Sequence, residues 1–210
     1  MTRVLYLLFI LSGAAGLIYE SIWTRYLGLF VGHDAYAQII VLVIFLGGMS
    51  AGAMMVSRHS ERLTDPLKGY ALIELAVGLI GLVFHEIYQW STNFAYTSIY
   101  PMLAGTPMLV VAKWTIASAL ILPQSVLLGA TFPLMSAGVL RLRRGRTGQS
   151  LSLLYFANSL GAAVGVLVAG FYLVGLAGLP GTLLVAAMLN LVVALATFLL
   201  VAAARRKNPA

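Results

Sequence analysis

Six stretches of this chain, at approximately 4–28, 36–56, 68–90, 107–138, 150–174 and 180–203, are long and apolar enough to cross a lipid bilayer. A spanning helix needs about 20 mostly apolar residues, because each residue adds about 1.5 Å toward a hydrocarbon core roughly 30 Å thick. Nothing else in the sequence constrains the fold as tightly. Hydrophobic residues make up 61% of the chain and charged ones 9%, whereas soluble domains are about a quarter charged. Too little polar surface is left to coat a water-soluble fold. Long uninterrupted apolar runs with 21 glycines favour closely packed helices over a β-barrel, whose strands would alternate with a period of two. The expected class is an all-α integral membrane protein with six transmembrane helices, residues 1–210 forming one membrane domain. Pro123 and Pro133 are expected to kink the fourth stretch, or to end it near the second proline.

Lys and Arg fix the expected orientation. Arg3 precedes the first stretch, and Arg58, Arg62 and Lys68 lie between the second and third. Arg141, Arg143, Arg144 and Arg146 lie between the fourth and fifth, and Arg205, Arg206 and Lys207 follow the sixth. The opposite side offers only Arg25. Basic residues favour the cytoplasmic side, so both termini are expected in the cytoplasm of a bacterial inner membrane. The same clustering explains the net charge of +7 as a topology signal, with no nucleic-acid partner. Arg3, the apolar run and "SGAAG" also resemble a secretory signal with a small-residue cleavage site. The apolar character continues past Gly16 to Trp23, so a retained first span is the reading taken.

The chain has no cysteine, which excludes disulfides and thiolate chemistry. His33, His59 and His85 fall in predicted boundary or loop regions at no metal-ligand spacing, so neither a metal nor another cofactor is expected. The informative residues are ionisable groups inside the apolar stretches: Glu20, Glu74, Glu86 and Lys113. Such groups are costly in lipid and usually face a bundle interior or an aqueous cavity. Glu20 lies roughly 24 Å along the first span by helix rise, at a depth similar to Lys113. A Glu20–Lys113 pair is geometrically possible, with Arg25 as the alternative partner; each of the three also fits at the head groups, Lys113 by snorkelling. Glu74 is the most isolated charge, and it fits a bond to a neighbouring helix equally well. Gly13, Gly16, Glu20 and Trp23 share one face of the first helix. Gly48 and Gly52, and Gly161 and Gly165, have the spacing of close helix contacts. Tyr19 and Trp23 read either as interfacial aromatics or as a cation–π surface.

"SGAAGLIYESIWTRYLGLFVG", "LLGATFPLMSAGV" and "LSLLYFANSLGAAVGVLVAGFYLV" resemble segments of the membrane region of bacterial spermidine synthase-like membrane proteins. The resemblance extends from the first span to the sixth. That region is itself similar to half of a major facilitator superfamily transporter, which implies a 3+3 inverted repeat. "SRHSERLTDPLKGYALIEL" looks like a degenerate form of the charged loop of that superfamily, which implies a gating or structural role for Arg58, Asp65 and Glu74. The last apolar run leads into "RRKNPA", with no Gly-rich nucleotide loop after a strand, so the resemblance is taken to carry architecture and not enzymatic activity.

The expected function is a half-size facilitator-like transporter working as a homodimer in the lipid bilayer. Its substrate is a small charged metabolite, a polyamine-like cation being favoured. The residues expected to meet substrate are Glu20 as cation or proton acceptor, Tyr19 and Trp23 as aromatic surface, and Lys113 or Arg25 as counter-charge. Gln124 and Asn158 would supply hydrogen bonds deeper in. The alternative is a non-transporting membrane partner that anchors or regulates a separate soluble aminopropyltransferase-like enzyme, docking through "RLRRGRTGQS".

Overall fold

A computed structural model describes residues 1–32, 34–60, 62–143 and 145–207. His33, Glu61 and Arg144, together with the side chains of Asp34 and Lys207, lie outside what is described. The described chain is helical, in the order α1 (Thr2–Val31), α2 (Asp34–Ser60), α3 (Pro66–Phe94), α4 (Tyr100–Leu103), α5 (Met108–Leu142), α6 (Thr147–Val168) and α7 (Val174–Lys207). Single π-helical turns at Ala95–Ile99 and Ala169–Leu173 join α3 to α4 and α6 to α7.

Five helical stretches are long and apolar enough to cross a membrane, and the last, Thr147–Arg206, is 60 residues long. It holds both of the final two spans expected from the sequence. Gly178, with φ 67° and ψ −174°, breaks its helical path two residues before Pro180. Only glycine adopts that backbone without strain, and Pro180, which lacks an N–H, is tolerated in the first turn of the helix that resumes after Gly178. Gly32 is used similarly at the end of α1, where its φ of 83° lets its N–H reach the Gly28 carbonyl. The prolines of α5 do not end that helix; it runs past both to Leu142.

α1 sits at the centre, packed against α2, α6 and α7, while α2 packs on α5 and α3 packs on both α5 and α7. Trp23, Tyr19, Tyr70, Phe9 and Phe30 are the largest side chains wholly inside. The outward faces are as apolar as the inside: Leu7, Leu29, Phe171, Leu176 and Leu199 are all exposed. Such a surface suits a hydrocarbon solvent, in which helices close their own backbone hydrogen bonds.

Met1, Thr64, Asp65, Arg141 and Arg205 line one cleft, so the start of α1, the α2–α3 connection and the ends of α5 and α7 share one end of the bundle. Asp65 caps α3 by accepting from the Lys68 N–H at 3.1 Å, with Pro66 at the first helical position. Its other oxygen takes Arg205 at 2.9 Å, and Arg141 donates to the Thr64 carbonyl at 2.9 Å. Arg58 is exposed at the end of α2. Asp65→Ala is expected to cost about 1 kcal/mol through the lost cap. Arg205→Ala should cost well under about 1 kcal/mol, since its side chain is 64% exposed and screened. Thermal unfolding of the two variants in detergent should rank them in that order.

Candidate functional site: a small-residue groove beside a buried carboxylate

Glycines let two helix pairs approach to backbone contact. A Cβ on Gly161 would run into the Ile10 carbonyl, and one on Gly13 into the Asn158 carbonyl. Across the bundle, a Cβ on Gly52 would strike the Val126 carbonyl and one on Gly129 the Met49 carbonyl. The two crossings share one register: each glycine faces the carbonyl three residues before its partner glycine. Without a Cβ, the glycine Cα–H groups can lie against those oxygens.

Between the two crossings lies a groove of about 460 Å³ formed by α1, α2, α5 and α6. Its polar points are Ser12, Ser50, Thr131, Tyr155 and Asn158, set among Gly13, Gly16 and Gly129. Leu17 ends the α1 side of the groove, and half-buried Glu20 follows on the same stripe. Glu20 forms no ion pair among the described residues, where Arg205–Asp65 is the salt bridge present.

The residues singled out in the sequence are dispersed by the fold. Asn158 lines the groove. Lys113 does not meet Glu20; its Nζ donates to the Val31 carbonyl at 3.2 Å and sits 5.3 Å from the Tyr100 ring centroid. The reason is local: the end of α1 leaves carbonyls without helical partners, and an ammonium there also faces the negative end of the helix dipole. Arg25 is exposed and forms no salt bridge among the described residues. Tyr19 and Trp23 are fully buried and stacked on one another at 5.6 Å, with Trp23 also against Phe45 and Phe84. As placed, they form core and not a ligand-facing aromatic surface. Gln124 is buried too, donating to the Val77 carbonyl at 3.0 Å. His85 lies inside α3, not in a boundary, with its Nδ1 2.7 Å from the Tyr26 hydroxyl.

Glu74 is not isolated. It is fully buried, with Oε1 accepting from Ser12 Oγ at 2.5 Å and Oε2 from Asn190 Nδ2 at 2.6 Å. α1, α3 and α7 are thereby joined through one carboxyl group. Tyr70, one turn earlier on α3, is equally buried, with its hydroxyl beside Glu74 and Ser12. Ser12 and Asn190 were not anticipated from the sequence. A lone Asn inside the apolar run "LLVAAMLNLVVALA" was the available signal, since a polar side chain there needs a partner on another helix.

The chain is similar to polyamine aminopropyltransferase 2 of Streptomyces coelicolor. The two are 25% identical over 176 residues, which covers 81% of this chain and 29% of that protein. The chain thus spans less than a third of the length of the curated relative it matches. No family model matches the chain, and no solved structure does. The resemblance seen in the sequence therefore stands as a distant relation to an aminopropyltransferase, joined to a helical chain with the length and apolarity for a membrane.

Proposed function

We propose that the chain is a half-size, facilitator-like membrane transporter that works as a homodimer and carries a small cationic metabolite of the polyamine class. The observation that carries this reading is the shared register of the two glycine crossings. If the first three spans and the last three are related by an inverted repeat, α1 corresponds to α5 and α2 to α6. The α1–α6 crossing then maps onto the α5–α2 crossing, residue for residue, and the α3–α7 contact maps onto itself. Six crossings follow in this reading from the break at Gly178, and an even number agrees with termini at one end of the bundle. The basic residues at that end favour the cytoplasm, in a bacterial inner membrane.

A second copy facing the groove would enclose it as a central path, which is how repeat-built carriers hold substrate near the midplane. The ionisable group that follows the groove along α1 is Glu20, an acid, while Lys113 is occupied at the end of α1. That arrangement supports a cation, and the similarity to a polyamine aminopropyltransferase supports a polyamine.

The test is uptake of labelled spermidine into proteoliposomes. Glu20→Gln is expected to lower uptake at least tenfold, about 1.4 kcal/mol, whereas Lys113→Met should leave it within about twofold. Equal loss in both variants, or none in either, would remove Glu20 from the site.

A second reading rests on the similarity itself: the chain would be the membrane partner of an aminopropyltransferase, bound through its basic end. Affinity purification from a bacterial membrane should then recover a soluble aminopropyltransferase, and charge reversal at Arg143 and Arg146 should release it. Spermidine uptake by the purified chain alone would decide for transport.

A further inference from the structure

We infer that Glu74 is a proton-binding site linked to the groove through Ser12, so that proton and cation occupy the protein in competition. The cationic ligand rests on the function proposed above; the proton site rests on geometry alone.

Glu74 lies about two turns into a 29-residue helix and has no exposed surface. The groups facing it come from three helices. α1 presents Ser12, with Tyr19 further along; α3 itself presents Tyr70; α7 presents Asn190. None of them is cationic, and no salt bridge to Glu74 exists among the described residues. A buried carboxylate with neutral donors and no counter-ion is a group whose charge is costly to hold. Binding a proton removes that cost.

The link outward is Ser12. Its hydroxyl donates to Glu74, yet the same residue, 3% exposed, lines the groove. While Glu74 is ionised, the Ser12 O–H points at the carboxylate and its lone pairs remain as acceptors for an ammonium in the groove. Once Glu74 takes a proton, the carboxylic O–H becomes the donor and Ser12 Oγ the acceptor. The Ser12 hydroxyl hydrogen then turns away from Glu74, and an ammonium meets a donor where it had met an acceptor. The proton-balanced step is a Glu74 carboxylic acid becoming a carboxylate plus a released proton as the cation binds. The Tyr70 hydroxyl beside Glu74 and the unpartnered Asn190 Oδ1, both wholly buried, provide places for the hydrogen bonds to rearrange. This is the local chemistry of proton–cation exchange.

Two measurements on the full chain in nanodiscs test this. Infrared difference spectra over a pH titration should show a carboxylic-acid C=O band that appears on acidification, is absent in Glu74→Gln, and shifts in Ser12→Ala. Absence of any Glu74-dependent band would overturn the proton site, whether or not the protein binds a cation. Spermidine binding should strengthen by up to about tenfold per pH unit as Glu74 ionises, then level off. In Glu74→Gln it should be weak, with no pH dependence beyond that of the amines themselves. In Ser12→Ala the pH dependence should be lost although Glu74 still titrates in the infrared. Persistence of the full pH dependence in Ser12→Ala would overturn the link. No spermidine binding by the wild type, with the Glu74 band present, would overturn the cation and leave the proton site standing.

Discussion

Gly161→Val and Gly52→Val are each expected to leave little correctly folded protein in the membrane. Each would place a side chain on a backbone carbonyl of the facing helix, at Ile10 and Val126 respectively. A flexible side chain can move aside, but a carbonyl held in a helix can yield only if the whole helix shifts. Overpacking a core costs about 1–3 kcal/mol, and occasionally more; two helices forced apart along a crossing belong at the upper end. The control is built into the same helix: a Cβ on Gly47 meets nothing within 4 Å, so Gly47→Val should be almost neutral. Size-exclusion profiles and melting temperatures in detergent would compare the three. If Gly47→Val proves as damaging as Gly52→Val, the effect is on helix backbone and not on the crossing. Similar losses in Gly52→Val and Gly161→Val are expected if the two crossings are equivalent.

The second large effect is expected from Asn190→Leu. Hydrogen bonds between neutral groups on membrane helices average about 0.6 kcal/mol. Donors to an ionised carboxyl contribute more, about 1.5–3 kcal/mol. Removing Asn190 strips the donor from Glu74 Oε2 and leaves that oxygen buried. A loss of about 2 kcal/mol follows for the ionised form. Glu74→Leu alone strands the Asn190 amide and should also destabilise. The double variant should recover part of the loss, because an apolar pair of similar volume removes both the stranded acid and the stranded amide and leaves only the Ser12 hydroxyl to find another acceptor. Reversible unfolding in mixed detergent, read as a double-mutant cycle, checks this. Strict additivity would mean that the two side chains do not act through each other.

The glycine spacing was readable in the sequence: Gly48 and Gly52, like Gly161 and Gly165, advertised close helix contact. Their partners were not readable. Gly161 meets Ile10 and Gly52 meets Val126, contacts between helices far apart in the chain that no local pattern specifies. Ionisable groups followed the same rule. That Glu74 and Lys113 needed special surroundings was evident from their apolar neighbours. Glu74 found Ser12 and Asn190, while Lys113 found a helix-end carbonyl in place of Glu20. Equal depth along two helices, estimated from rise alone, does not say whether two side chains point toward each other. Tyr19 and Trp23 show the remaining ambiguity. The same aromatic stripe serves a core or a ligand, and only packing against Phe45 and Phe84 decided for the core.

By itself, the sequence determined what depends on length and local composition. It set the helical class, the apolar lengths suited to a bilayer, the clustering of basic residues and the glycines that permit contact. These properties are short-range, because a helix closes its own hydrogen bonds and its hydrophobicity sums over neighbours. The tertiary structure alone decided which polar group meets which, where the groove opens, and that one serine touches both the groove and a buried acid. Those outcomes depend on ångström-scale distances between helices, set by the packing of all the helices together.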